Sequence, residues 1–428
     1  MNNEVKKKTV LWVSPYAPYD RVFHGGGKTH NFYIKYLKKS NEFDITLVSL
    51  CLKEEVPNLD LDKYGIKNLI AVTNPNFVTA QFRRILNEVS YVNPWNKYGG
   101  ICLNYERWKI NELLGLYIRE GNEPDIVILQ WTFAVLYAKK LRSIFPDAVI
   151  VAIEEDVTFL NYQRKISKAS SKFGSLFWKK RYKIGKQIEL DALDKADIVV
   201  TNNPKDTNLL LENGVSEKRI FTSAPYFDDY SFVQRDKPCK DIIFWGAMYR
   251  PENYKSAIWF IKQVLPLLKD KELRFIIIGG QPNNSLYKYE SEHVIITGYV
   301  EKPEEWFGSC KCMVAPLVGG AGIKIKILEA LSAGIPVLTN TIGIEGIEAT
   351  DQKEFFYCKT PQEYADCINK GMVDEKRFED VGLNAKKFIK ANYSLEIKLN
   401  ALIDRLTDTR VKEKGEIDRC DTENKRYI

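Results

Sequence analysis

Short apolar runs rich in β-branched residues recur along the chain, and segments with a helical pattern separate them. The run at 149–153 is continuously apolar instead of alternating, which is typical of strands buried on both faces. The pattern therefore predicts parallel sheets covered by helices. In the first half the predicted strands are 9–14, 44–50, 68–72, 125–129, 148–153 and 197–201. In the second half they are 242–245, 274–280, 294–300, 313–315 and 336–339.

A polar stretch at 226–240 separates these two series of strands and helices. The 428 residues are too many for one ordinary core and fit two domains of about 200 residues each. We therefore predict two doubly wound α/β domains, at 1–235 and 236–385. A final helix at 386–407, expected to pack back on the first domain, and a charged tail at 408–428 complete the chain.

A glycine-dense turn at 319–322, between an apolar strand and a predicted helix at 323–333, carries the clearest candidate chemistry. Glycine lets the backbone come close to a ligand, and the first amides of a helix have no internal partner. The start of this helix therefore suits a phosphate group.

Two lysines and a glutamate on the same helix extend this prediction. Lys324 and Lys326 lie in the first turn, where the helix dipole makes each cation unfavourable by about 0.3–1 kcal/mol, so we expect an anion there. Glu329 lies three residues after Lys326 on the same side and could accept hydrogen bonds from a ribose diol. The alternative interpretation is an ordinary crossover helix with an exposed Lys–Glu pair.

Two segments of the first half also follow predicted strands, where open α/β sheets bind ligands. Gly25, Gly26 and Gly27 form a candidate binding loop before a helix at 32–39, although a floppy loop tip has the same pattern. Glu155 and Asp156 are candidate catalytic residues, because crowded carboxylates can act as a base or bind a substrate hydroxyl. An acidic helix N-terminus is the alternative.

The segment 164–186 interleaves aromatic residues with Lys and Arg. It could lie on an anionic membrane surface or grip an acidic acceptor. A solvated basic helix that packs its aromatic residues inward has the same composition.

Composition and charge narrow the class of protein. Hydrophobic content of 45% and charged content of 28% indicate a soluble globular protein, and no apolar run reaches the roughly 18 residues that span a bilayer. The apolar run at 10–13 predicts a first core strand instead of a signal peptide. Three His and scattered Cys argue against a structural zinc site and for reduced thiols in the cytoplasm. A net charge of +7 suits anionic small ligands or a membrane and does not indicate nucleic acid. We expect no metal role for the D-x-D at Asp60 and Asp62.

Taken together, the motifs resemble those of GT-B glycosyltransferases, specifically the retaining family 4 group. The segments that carry the resemblance are F-W-G-A-M-Y-R-P-E-N at 244–253, T-G-Y-V at 297–300, G-A-G-I-K-I-K-I-L-E-A-L-S-A-G-I-P-V at 320–337, G-I-E-G-I at 343–347 and E-L-D-A-L-D-K-A-D-I-V-V-T-N at 189–202. The resemblance implies a set of donor-binding residues: Gly25, Gly26, Gly27, Gly246, Arg250, Asn253, Tyr299, Val300, Gly322, Ile323, Lys324, Lys326 and Glu329. Among them, Lys326 and the amides of 322–324 would bind the diphosphate, Glu329 the ribose, and the backbone near 299–300 the nucleobase.

The sequence departs from the family pattern at three places. Ala321 stands where many members carry a Glu that contacts the transferred sugar, and Ala247 and Glu252 stand where a basic pair is common. Glu155 and Asp156 replace a His followed by Asp or Asn. The resemblance therefore leaves the sugar and the catalytic group open.

The resemblance implies two Rossmann-like domains that face each other across a cleft and a metal-independent transferase that retains the anomeric configuration. A nucleotide sugar is the co-substrate, with no other cofactor, and the acceptor is a saccharide or a lipid-linked saccharide of cell-surface polysaccharide or glycoconjugate synthesis. We expect a cytoplasmic protein with peripheral contact at the inner membrane face. Two other functions fit the same fold: a nucleotide-sugar epimerase and a non-catalytic partner subunit.

Overall fold

The structure, a computed structural model, describes residues 7–20, 22, 25–73, 98, 101–167, 169, 171–235, 240–320 and 322–408. The contacts divide the chain into two units. Unit 1 comprises Met1–Tyr226 and Leu395–Ile428, and unit 2 comprises Phe227–Ser394. These boundaries differ from those expected at 235 and 385.

Unit 1 is built on a seven-stranded parallel sheet with the strand order β3-β2-β1-β4-β5-β6-β7. The strands are β1 (Lys8–Ser14), β2 (Phe43–Leu52), β3 (Lys67–Thr73), β4 (Ile126–Gln130), β5 (Val149–Glu154), β6 (Ile198–Thr201) and β7 (Ile220–Thr222). The helices are α1 (Gly25–Lys39), α2 (Asn104–Arg119), α3 (Trp131–Val135), α4 (Ala138–Ile144), α5 (Thr158–Ser167), α6 (Lys172–Leu193), α7 (Pro204–Glu212) and, at the chain end, α13 (Leu395–Thr407).

Unit 2 repeats this plan with a six-stranded parallel sheet in the order β10-β9-β8-β11-β12-β13. Its strands are β8 (Ile242–Trp245), β9 (Phe275–Ile278), β10 (Val294–Gly298), β11 (Cys312–Ala315), β12 (Val337–Thr339) and β13 (Phe356–Tyr357). Its helices are α8 (Pro251–Gln263), α9 (Pro303–Ser309), α10 (Ile325–Ser332), α11 (Pro361–Gly371) and α12 (Glu375–Asn392).

The central strands of both sheets are apolar along most of their length because helices cover both faces, and the polar Gln130 and Glu154 end β4 and β5. Every residue of β4, β5, β9 and β11 is buried. The prediction of two parallel, doubly wound domains is therefore confirmed. In each sheet the order reverses beside the first strand, between β1 and β4 in unit 1 and between β8 and β11 in unit 2. Such reversal points open a crevice at the carboxyl ends of the strands, where ligands of this architecture bind.

Several predicted elements differ in their bounds. The helix expected at 32–39 begins earlier, at Gly25, and the helix expected at 323–333 is shorter, at Ile325–Ser332. The helix expected at 386–407 is two helices, α12 and α13, since the chain leaves the helical path at Tyr393 and Ser394. Strands β7 and β13, which are three and two residues long, were not predicted.

The last helix, α13, packs on the rest of unit 1 through polar contacts. Tyr36 donates from Oη to Asn400 Oδ1 over 2.9 Å, and Lys8 Nζ donates to the Leu406 carbonyl over 3.1 Å. Arg405 donates to the Ile220 carbonyl over 3.1 Å. These contacts hold α13 against strand β1 near the start of the chain and against strand β7. The residues expected to form the charged tail lie, apart from 408, outside the described residues.

Within the described residues, no helix combines the length and the apolar character that a membrane crossing requires.

Candidate functional site

The crevice of unit 2 begins at Gly246, which directly follows β8. Gly246 has a φ of 148° and Gly279, at the end of β9, has a φ of 151°, a region that side chains rarely adopt. A Cβ on Gly279 would lie 1.7 Å from the Gly246 carbonyl oxygen. The two strand ends therefore approach each other more closely than any residue with a side chain would allow.

Lys326 projects from α10 over Gly246. Its Nζ donates a hydrogen bond to Asn253 Oδ1 and lies 5.0 Å from the centre of the Phe244 ring. A Cβ on Gly246 would stand 3.2 Å from this amine. Burial lowers the pKa of Lys326 to about 7, although the nearby Glu252 carboxylate favours the charged form. The amine is therefore poised to gain a proton when an anion binds beside it.

Asn253 joins the lysine to the loop after β8. It lies in the first turn of α8 and is buried, and its Nδ2 donates to the Ala247 carbonyl over 2.9 Å. Asn253 thus fixes both Lys326 and the turn that carries Gly246, which gives the final asparagine of the segment at 244–253 a local structural reason.

The second lysine of the helix has a different environment from the one expected. Lys324 is the N-cap residue of α10, is buried, and donates from Nζ to the Gly322 carbonyl over 2.5 Å. Its amine also lies 3.5 Å from Glu345. The prediction that a bound anion must balance both lysines was therefore incomplete, because a carboxylate of the protein already balances Lys324.

Glu329 is 7% exposed and has a partner that the sequence analysis missed. Trp245, the last residue of β8, donates from Nε1 to Glu329 Oε2 over 2.6 Å, and its ring packs edge-on against Phe307 with centres 5.4 Å apart. An indole at the end of a strand, directly before Gly246, is the sequence signal that could have pointed to this contact.

The remaining predicted donor residues lie at the carboxyl ends of strands of the same sheet or in the turn before α10. Arg250, the N-cap residue of α8, is exposed and lies 5.8 Å from the Tyr249 ring. Tyr299 follows β10 and is 79% exposed, with Val300 beside it. Gly322 and Ile323 precede the start of α10. Ala321 lies outside the described residues.

The three glycines of unit 1 were predicted to form a loop. In the structure they form the first turn of α1 instead. A Cβ on Gly26 would lie 3.0 Å from the Trp131 ring, whereas one on Gly25 would meet nothing within 4 Å. Gly26 is therefore small because the helix begins against an indole, and the glycines belong to a different unit from the other predicted donor residues.

The predicted catalytic pair lies after β5. Glu155 accepts from Gln130 Nε2 over 2.5 Å and from Asn202 Nδ2 over 2.7 Å, one bond to each carboxylate oxygen. Burial raises the pKa of Glu155 to about 8, against the effect of the Gln130 bond. Asp156 remains accessible to solvent, but loss of hydration and the nearby Asp206 raise its pKa as well. This arrangement suits Glu155 to positioning and leaves Asp156 open to a substrate.

Two further carboxyl groups near this pair were not singled out from the sequence. Glu154 Oε2 accepts from Thr132 Oγ1 over 2.6 Å, and Glu189 accepts from the backbone amides of Thr158 and Phe159 over 2.8 and 2.9 Å. Both are fully buried, and burial raises the pKa of both, that of Glu154 to about 8. Their signal in the sequence is weak because each lies in a segment whose pattern predicts only a strand or a helix.

The basic aromatic segment 164–186 covers parts of α5 and α6. At the start of α6, Phe173 is 83% exposed and Leu176 is 67% exposed, and Lys179 and Lys180 are also exposed. The interpretation that all its aromatic residues pack inward is therefore wrong for Phe173.

The D-x-D aspartates have structural partners. Asp60 is buried and lies 2.8 Å from Lys35 Nζ, and Asp62 accepts from Asn68 over 2.9 Å. In the described part of the chain, no group of three or more His, Cys, Asp or Glu could hold a metal ion.

The part of the chain that carries the lysine site is similar to a known family of domains. Residues 239–374 match the family model described as glycosyl transferases group 1. The matched residues lie within unit 2. A relative from Klebsiella pneumoniae, described as an uncharacterized 44.6 kDa protein in the cps region, is 21% identical over 180 residues. That match covers 40% of this chain and 46% of the relative, so the chain spans less than half the length of the relative it matches.

Solved structures match over nearly the whole chain. HepE from Anabaena, in complex with UDP and glucose, has a TM-score of 0.57 at 11% identity, with 94% of this chain and 100% of that chain covered. Sucrose-phosphate synthase from Thermosynechococcus elongatus has a TM-score of 0.61 at 12% identity, with 94% and 99% covered. TarM from S. aureus, in complex with fondaparinux, alpha-GlcNAc-glycerol and UDP, has a TM-score of 0.58 at 13% identity, with 94% and 100% covered. These likenesses establish the fold, which is that of GT-B glycosyltransferases.

Proposed function

We propose that this protein is a glycosyltransferase that moves a sugar from a nucleoside-diphosphate sugar to a saccharide acceptor. The observation that carries the proposal is the position of Lys326, Asn253 and Gly246 at the reversal point of the sheet in a glycosyl transferases group 1 domain. A buried amine beside a glycine and a helix start is suited to a diphosphate.

The chemistry requires the nucleoside diphosphate to leave with its developing negative charge stabilised. A protonated Lys326 and the first amides of α10 would supply fixed positive charge at the leaving group, where preorganised donors are most effective. Arg250, an exposed residue three positions before Asn253, would add a mobile cation. Glu329, held by Trp245, would accept hydrogen bonds from the donor ribose hydroxyls.

The acceptor chemistry is assigned to unit 1. Asp156 would contact a substrate hydroxyl. Glu155, which is held by its hydrogen bonds to Gln130 and Asn202, would position Asp156. Retention of the anomeric configuration and independence of a metal rest on the resemblance to the retaining family 4 group.

The first donors to test are UDP sugars, because the HepE and TarM structures contain UDP. A role in the synthesis of a cell-surface polysaccharide is supported by the Klebsiella relative, whose description places it in the cps region. A lipid-linked acceptor would bring the protein to the inner membrane face.

Membrane contact is proposed through the start of α6. The apolar side chains of Phe173 and Leu176 are exposed to solvent, and the exposed Lys179 and Lys180 add positive charge. Apolar insertion with basic flanks suits an anionic lipid surface. The protein should therefore sediment with vesicles that contain phosphatidylglycerol, and a Phe173→Ser, Leu176→Ser double variant should not. Equal sedimentation of both proteins would contradict this contact.

The function is tested with a panel of UDP and GDP sugars, with and without saccharide acceptors, by measuring released nucleoside diphosphate and the product. The proposal predicts release that increases with one acceptor and a new glycosidic product. Conversion of the donor without any acceptor would identify an epimerase instead. Tight donor binding with neither release nor conversion across the panel would favour a non-catalytic subunit.

A further inference from the structure

Two aromatic side chains lie at the reversal point of the unit 1 sheet. Tyr16 follows β1 and Trp131 directly follows β4, and these strands are neighbours. Their ring centres are 5.4 Å apart at an angle of 86°, and Tyr16 is 52% exposed. The crevice of unit 1 therefore presents aromatic surface at the position where the crevice of unit 2 presents glycine and lysine.

The backbone at Trp131 is strained. Its φ is 66°, a left-handed conformation that is a genuine outlier for a bulky residue and costs of order 1–3 kcal/mol. The ring is held from two other sides, by the first turn of α1 at Gly26 and by the fully buried His30, whose ring centre is 5.5 Å away. Strain that the surroundings maintain so firmly is a feature of ligand sites.

Carboxyl groups follow β5, the strand next to β4, at the same edge of the sheet as the aromatic pair. Gln130, which precedes Trp131, bonds to Glu155, and the accessible carboxylate of Asp156 comes next in the chain. Although the Tyr16 side chain is half exposed, loss of hydration around its hydroxyl raises its pKa, and the negative charges of Glu106 and Glu55 raise that pKa further. A ligand at Tyr16 therefore meets an aromatic face and the negative charge of Glu106 and Glu55, which disfavours phosphate and other anions.

We infer that Tyr16 and Trp131 form a subsite for one neutral pyranose ring, with its C–H face on the aromatic surface and a hydroxyl donating to Asp156. Sugars combine an apolar face with hydroxyl donors, and aromatic residues supply a large apolar contact in a fixed geometry. That this ring belongs to the acceptor rests on the proposed function. The terminal sugar of the acceptor, which binds to unit 1, is accordingly uncharged.

Direct binding tests the subsite without activity. The indole N–H resonance of Trp131 is assigned as the one absent from the spectrum of a Trp131→Phe variant. The methyl glycosides of glucose, galactose and N-acetylglucosamine and the sodium salt of glucuronic acid are each titrated to about 50 mM, well above a millimolar Kd. At least one neutral glycoside should shift the Trp131 resonance in a saturable manner, and glucuronate should not. Absence of any saturable shift, or a shift by glucuronate alone, would overturn the inference.

A second variant distinguishes the contribution of the Trp131 ring to glycoside binding from its contribution to the stability of the fold. Trp131→Gly removes the indole, and glycine adopts a φ of 66° without strain, so the thermal midpoint should not fall for a backbone reason. Neutral-glycoside affinity should drop about tenfold, in line with loss of a large buried contact. The control is a substitution at Trp108, a 53% exposed tryptophan on α2 of unit 1. Glycine would disrupt that helix, so the control variant is Trp108→Phe, which should bind glycosides as the unsubstituted protein does. Unchanged glycoside affinity in Trp131→Gly would overturn the inference.

The same variants distinguish this subsite from the proposed function. If the unsubstituted protein transfers sugar and Trp131→Gly retains its acceptor KM, the subsite is wrong and the function stands. If glycosides bind as predicted but no nucleotide sugar is consumed, the function is wrong and the subsite stands. UDP affinity should be equal in the unsubstituted protein and in Trp131→Gly, because the lysine site proposed to bind the diphosphate lies in unit 2.

Discussion

Trp245 Nε1 donates to Glu329 Oε2 over 2.6 Å, so the last residue of β8 fixes a carboxylate on helix α10. The bond spans 84 positions in the sequence and connects the end of β8 to the helix that follows β11, the strand beside which the sheet order reverses. The orientation of the proposed ribose ligand is therefore set by an indole.

Loss of the Trp245 donor should be measurable in stability and in binding. Trp245→Phe keeps an aromatic ring but removes the N–H, and loss of a hydrogen bond to a charged, buried group costs about 1–3 kcal/mol. We expect the free energy of unfolding in urea to fall by that amount and UDP affinity to fall with it. Trp259→Phe, the same exchange on α8, is the control. An unchanged UDP affinity in Trp245→Phe would remove the indole from the site.

Nucleoside diphosphate binding should take up a proton from solvent. Burial lowers the pKa of Lys326 to about 7, so at pH 8 most of its amine is neutral, and a bound diphosphate would favour the protonated form. Affinity should consequently weaken as the pH rises above about 7. Calorimetry at pH 8 in buffers of different ionisation enthalpy should report uptake of about one proton, which Lys326→Met should abolish. Proton release, or equal uptake by Lys326→Met, would refute this role of the amine.

The buried Glu154 should make stability decline toward alkaline pH. Burial raises its pKa from 4.5 to about 8, so between these values the folded state holds a proton that the unfolded state has lost. Stability from this group is complete below pH 4.5 and is lost as the pH rises through 8. Glu154→Gln keeps a neutral group of the same shape and should be more stable than the unsubstituted protein at pH 9 by at least about 1 kcal/mol.

Urea unfolding at pH 5 and pH 9 measures this difference. Glu217→Gln, an exchange at an exposed position of unit 1, serves as the control and should leave the pH profile unchanged. A Glu154→Gln profile parallel to that of the unsubstituted protein would show that Glu154 ionises without cost.

The glycine contact under the lysine site should be intolerant of a single methyl group. Gly279→Ala places a Cβ 1.7 Å from the Gly246 carbonyl oxygen at a φ of 151°, so backbone must move, and we expect a loss of about 3 kcal/mol or more. Gly319→Ala meets nothing within 4 Å and should change stability by less than about 0.5 kcal/mol. Chemical unfolding of both variants checks the contrast. Similar losses for both would mean that the strand ends do not approach as described.

Much of this architecture follows from local pattern. Continuous apolar runs predicted the central strands of both sheets because helices bury both of their faces, as β5 illustrates. The glycines and lysines before and within α10 pointed to the site since their spacing on one helix is local information.

The parts that were missed depend on contacts distant in sequence. Nothing near Lys324 indicates that Glu345 balances it, and nothing near Gly26 indicates that the helix begins against Trp131. The break at Tyr393 was missed because the helical pattern continues on both sides of it. The left-handed backbone of Trp131 also has no local signal, since a bulky residue is the least expected there.

The central claim is that α10 and Lys326 bind the diphosphate of a nucleotide sugar. The most direct measurement is calorimetric titration of the unsubstituted protein and of Lys326→Met with UDP, GDP, uridine and guanosine. The account predicts that one of the two diphosphates binds the unsubstituted protein, and that Lys326→Met weakens it about tenfold or more while the matching nucleoside is little affected. Binding of neither diphosphate, or equal losses for diphosphate and nucleoside, would contradict it.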